Sequence, residues 1–113
     1  MIHPVAKFRN SDTRAYGVPL NANQDYEFGL DPARVPANAV AVALNIAAVP
    51  TGTPGWLDIR PAGSPFAETS TVNYEADGAH NGATVVGVVG GKFIVRTSAP
   101  AHVIVDVTGY WTP

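Results

Sequence analysis

Val40-Ala41-Val42-Ala43-Leu44-Asn45-Ile46-Ala47 is the stretch that decides the fold class. Val40, Val42, Leu44 and Ile46 alternate with three alanines and one asparagine. Successive side chains of an extended chain point to opposite faces, so this period of two sets the large residues on one face and the small ones on the other. Such a pattern suits a central strand with a core on one side and close packing on the other. An amphipathic helix, which the alanines keep open as the alternative, would need spacings of three and four.

Working outward, Trp56-Leu57-Asp58-Ile59-Arg60 repeats the alternation, with Leu57 and Ile59 expected inward and Asp58 and Arg60 outward. Residues 92–96 repeat it again. Over residues 101–110, Val103, Val105 and Val107 share one face, while His102, Ile104, Asp106 and Thr108 take the other. Gly90-Gly91 links the strand-like runs 83–89 and 92–97. Primed turns need positive φ, which glycine adopts freely, so a hairpin with these two runs as antiparallel neighbours is expected. Weaker strand candidates are residues 5–9, 26–30 and 70–74. Eleven Gly and ten Pro leave hardly any segment room for three helical turns. The pattern predicts an all-β fold, an antiparallel, jelly-roll-like β-sandwich of about seven or eight strands. A chain of 113 residues reads as one domain over 1–113, with 1–10 an N-terminal arm or edge strand.

Composition removes several function classes. The hydrophobic set makes up 46% of the chain and charged residues 14%, enough apolar material for a packed core. The net charge is −2 and the basic residues are scattered, whereas nucleic-acid binding draws on clustered cations, so no nucleic-acid role is expected. Without cysteine there is no disulfide framework, thiolate zinc site or cysteine nucleophile. The apolar run 39–49 is short of the roughly 20 residues of a membrane helix, so no membrane role is expected. The first eight residues show no apolar stretch with a cleavage site, and no secretory leader is expected.

Ser11-Asp12-Thr13-Arg14, the run 35–46 (VPANAVAVALNI), the run 54–63 (PGWLDIRPAG), Thr71-Val72-Asn73-Tyr74 and the run 102–111 (HVIVDVTGYW) follow one another in order. In that order the chain resembles a β-rich module that recurs in secreted and cell-wall-associated actinobacterial proteins. The resemblance implies an accessory module of cell-surface proteins, and it carries over no catalytic residue. A free-standing copy without a leader resembles a virion surface protein of an actinobacterial phage, which lysis would release without export.

The chemistry-bearing residues point the same way. His3, His80 and His102 have no ligand-type partner at i+2 or i+4, so neither metal nor cofactor is expected, and His3 and His80 read as loop surface. Ser64 lacks a G-x-S-x-G elbow and reads as a turn serine. Asp58 and Asp106 are candidates for a carboxylate pair, but isolated strand carboxylates more often face solvent or a cation. Arg14, within Asp12-Thr13-Arg14, is expected to bridge bidentately to a strand carboxylate, first of all Asp106, tying the start of the chain to the last strand. Among the aromatics, Trp56, Trp111 and Tyr110 are the candidates for a binding surface.

The expectation is therefore a non-enzymatic structural or binding protein. The leading form is a virion surface protein, capsid-decorating, cementing or tail-associated, that docks on a coat or tail protein and forms a homo-oligomer such as a trimer. The alternative is an extracellular, cell-wall-associated module that binds a cell-surface glycan or other carbohydrate.

Overall fold

The computed structural model describes residues 1–66 and 70–113. Its strands are β1 (Ile2–Asp12), β2 (Tyr26–Gly29), β3 (Ala41–Pro50), β4 (Gly55–Pro61), β5 (Val72–Tyr74), β6 (His80–Gly87), β7 (Lys92–Thr97) and β8 (Ala101–Trp111). A 3-10 turn, Thr13–Tyr16, follows β1. The strands form two four-stranded antiparallel sheets, sheet A in the order β1-β8-β3-β6 and sheet B in the order β2-β7-β4-β5. First pairs with last, second with seventh, third with sixth and fourth with fifth, which is a long hairpin rolled into the jelly-roll sandwich that the sequence predicts. Among the described residues no helix is long and apolar enough to cross a membrane.

Period two builds the core. Hydrogen-bonded register aligns Tyr110, Val42 and Val86 in one inward row of sheet A, then Phe8, Val107, Leu44 and Thr84, then Ser11, Val105, Ile46 and Gly82. Sheet B answers with Tyr26, Val95 and Ile59, and with Phe28, Phe93 and Pro61. Phe93, Val95, Leu57, Val42, Ile46, Val103, Val105 and Val107 have no exposed surface. Burying each such side chain contributes roughly 1.5–3 kcal/mol. Tyr74 enters the same core with its hydroxyl donating to the Ala99 carbonyl at 2.7 Å, and burial pushes its phenol above the ordinary pKa.

Two expectations change. Val40 lies just before β3 and is exposed, so the inward stripe is Val42, Leu44, Ile46 and Ala48. The Gly90-Gly91 link does make a primed turn, with φ of 60° and 74° and reciprocal bonds between Val89 and Lys92. The runs it joins are nonetheless not sheet neighbours, since β6 lies in sheet A and β7 in sheet B. Val86 and Val88 on one side and Phe93 and Val95 on the other bury their apolar faces against each other across the sandwich. Side by side, the same strands would leave the cover of that core elsewhere.

Candidate docking surface

The outer face of sheet A is a grid of four rows read from the strand register. Ile2, Trp111, Ala41 and Gly87 form the first row and Pro4, Gly109, Ala43 and Val85 the second. Neither row holds a charged side chain. Val85 is 59% exposed, Ile2 57%, and exposed Val40 borders them, so this half is an apolar surface open to solvent. Trp111 is half-buried in the first row, with its carbonyl accepting from the Val40 amide at 2.8 Å.

The other half of the face holds the charge. Arg9, Asp106, Asn45 and Ala83 make the third row and Asp12, Ile104, Ala47 and Asn81 the fourth. Asp106 is buried, and its partner is Arg9, whose Nε donates to Oδ1 at 2.6 Å; Lys7 approaches at 3.8 Å. The expected Arg14–Asp106 bridge does not form. Arg14 instead grips Asp12, with Nε to Oδ1 at 3.0 Å and Nη2 to Oδ2 at 2.8 Å, while its amide also donates to Oδ1. Register explains the exchange: Arg9 stands directly opposite Asp106, whereas the chain has left β8 for the 3-10 turn by Arg14, with Asp12 as its cap. The paired hydrogen bonds from Arg14 hold the Asp12 carboxyl down at about 2, against a smaller opposing effect of burial.

Sheet B presents a different exterior. Alternation does put Asp58 and Arg60 on the outer face, but both are buried, at 1% and 7% exposure, and so the expectation that they face solvent is corrected. Arg60 donates to Asp58 at 3.0 Å, to Asp25 at 2.5 Å and to the Ser64 carbonyl at 3.1 Å. Arg96 reaches Asp25 at 3.2 Å. Phe66 covers this network: its ring lies 4.4 Å from the Arg96 guanidinium carbon, 5.5 Å from that of Arg60, and stacks on Trp56 at 5.5 Å with 12° between planes. Burial opposes the Arg60 charge, yet Asp25 and Asp58 outweigh it and hold the guanidinium above its ordinary pKa. Arg60, ahead of Arg96, holds Asp25 below its own. Trp56 is consequently half-covered and packed against this cluster through Phe66.

The remaining candidates are engaged locally. Tyr110 packs on the end of the core and stacks on His3 at 4.8 Å, and His3 Nε2 is 2.9 Å from Thr112 Oγ1. His102 Nδ1 lies 3.0 Å from Thr13 Oγ1. His3 and His80 lie on strands, not loops. Ser64 Oγ donates to the Pro61 carbonyl at 2.6 Å within a turn. Asp58 and Asp106 lie on different sheets. Among the described residues no three His, Cys, Asp or Glu converge as a metal site would require.

Where the edges of the two sheets meet at β1 and β2, a cleft of about 400 Å³ opens between Asn10, Asp12, Tyr16, Tyr26 and Phe28. Tyr16 stands 80% exposed at this cleft. Arg9 and Asp25 are the partners that sequence reasoning missed. The first could have been found only from strand register, the second only from knowing that the segment before β2 meets Arg60 and Arg96.

No family model, no curated protein and no solved structure matches the chain.

Proposed function

We propose that this chain is a non-enzymatic docking module that sits on a larger assembly, as a decoration, cementing or tail-associated protein of a virion surface. The observation that carries the reading is the uncharged half of the outer face of sheet A, from Ile2 and Trp111 to Ala43 and Val85. It carries no charged side chain and stands on a two-layer scaffold. Apolar surface of this kind gains free energy when covered, and a rigid scaffold loses little conformational entropy in the process. The jelly roll itself serves viral capsid and lectin domains alike, so the reading rests on the face and not on the fold. Co-sedimentation of the purified chain with intact particles of an actinobacterial phage tests it. Saturable binding supports the proposal, and a chain that stays in the supernatant at every concentration contradicts it.

A second reading, a cell-wall glycan-binding module, draws on the cleft at Tyr16. An exposed tyrosine ring beside Asn10 and Asp12 offers a stacking face next to polar groups, as sugar rings need. Pull-down on purified actinobacterial cell wall, lost on Tyr16→Ala, is the result that would favour it.

A further inference from the structure

The two edges of sheet A are built in opposite ways. β1 carries Pro4, Lys7 and Arg9, and its register against β8 slips twice, between Pro4 and Phe8 and again between Arg9 and Ser11. Proline, bulges and cations are the devices by which natural sheets keep an edge from pairing with another chain. β6 has none of them. Its sequence, His80-Asn81-Gly82-Ala83-Thr84-Val85-Val86-Gly87, holds no Asp, Glu, Lys, Arg or Pro, and it follows β3 in unbroken register from Ala48↔His80 to Ala41↔Gly87.

The free groups on this edge can be assigned. The Val88 amide donates to the Val40 carbonyl at 2.9 Å, so in the antiparallel alternation Val86, Thr84 and Gly82 turn their backbone groups toward β3. Asn81, Ala83 and Val85 turn theirs away from the sheet, and all three residues are exposed. Among the described residues no backbone partner meets them. At Gly87 the other sheet comes close, and an added Cβ there would stand 3.1 Å from Pro61.

We propose that β6 pairs antiparallel with β6 of a second copy about a twofold axis at Ala83, joining two A sheets into one. Ala83 then faces its own symmetry mate and Asn81 faces Val85 of the partner, each exchanging both backbone bonds. A second copy is the occupant that the edge fits. It brings a strand with the same spacing and no charge to leave unpaired, and a twofold contact closes on itself instead of growing into a filament. The sequence Asn81 to Val85 offers a charged partner strand nothing to complement. A single strand seam covers less than the roughly 1,200–2,000 Å² of a stable interface, so a weak, concentration-dependent dimer is expected. The inference concerns the isolated chain and does not depend on the docking reading.

Sedimentation equilibrium of the purified chain over roughly 1–500 μM spans the weak range that such a seam should occupy. A monomer–dimer equilibrium is expected, with at least about tenfold weaker association on Ala83→Pro, which removes an outward N–H that the monomer fold does not use. Ala83→Lys should also be monomeric, and mixing it with Ala83→Glu should restore a heterodimer, which separates loss of the seam from loss of fold. A chain that stays monomeric throughout the range overturns the proposal, as does a dimer that survives Ala83→Pro in a variant that melts like the parent.

Discussion

The outer faces of the two sheets share one alternation pattern and end in opposite states. On sheet B the outward positions Asp58, Arg60 and Arg96 are drawn into one network with Asp25 and covered by Phe66. On sheet A the outward positions of the first two rows are alanine, glycine, proline, valine, isoleucine and tryptophan, with Ile2, Pro4 and Val85 exposed. On one side the charges of Asp58 and Arg60 are buried in ion pairs, and on the other apolar surface is left outside. The difference points to where the working surface lies, because covering apolar side chains gains free energy, whereas ions already paired with one another gain little from a partner.

The largest effect that sharpens this contrast is expected on sheet B. Arg60→Ala takes the guanidinium away from the buried Asp58 carboxylate, and since removing one member of a buried pair is costly it should lower stability by about 3–5 kcal/mol in urea unfolding. A loss below about 1 kcal/mol would mean that the cluster is solvated, and the two faces would no longer differ in kind.

On sheet A the charged half should respond in a graded way. Arg9→Ala deprives buried Asp106 of its closest donor and should lower the melting temperature less than Arg60→Ala does. Arg14→Ala touches only a half-exposed local pair with Asp12 and should lower it least. Calorimetry giving Arg14→Ala the larger drop of the two would restore the bridge to Asp106 that the sequence suggests.

A smaller effect is expected in acid. Asp12, at about 2, and Asp25, held low by Arg60 and Arg96, both titrate below their unfolded values. Their stabilisation is therefore present above about pH 4 and lost as pH falls through the folded values, that of Asp12 lying at about 2. Asp12→Asn should flatten part of the fall in melting temperature between pH 4 and 2. An unchanged slope would remove Asp12 from the acid response.

Much of the fold was legible because period two is a local property. Val42, Leu44 and Ile46, and again Val103, Val105 and Val107, announce their inward face without knowledge of any partner strand. What stayed hidden depends on distant pieces meeting. Asp58 and Arg60 read as solvent-facing because Asp25 and Phe66, which enclose them, arrive from other parts of the chain. Arg14 looked like the partner of Asp106 because residue spacing does not reveal the bulges that bring Arg9 opposite it. The glycine turn at Gly90-Gly91 was readable as a turn, yet turn chemistry does not determine whether the flanking strands stay in one sheet. Of the surface candidates, both half-buried, Trp111 lies in the apolar rows, whereas Trp56 stacks on Phe66.

The most direct measurement places a charge at the centre of the uncovered face and reads docking alone. Ala43→Asp, with Val85→Asp as a second variant, should leave the melting temperature near that of the parent while co-sedimentation with phage particles falls at least about tenfold, as desolvating an unpaired carboxylate opposes binding. Undiminished co-sedimentation of both variants, in folded protein, would contradict the assignment of this face as the working surface.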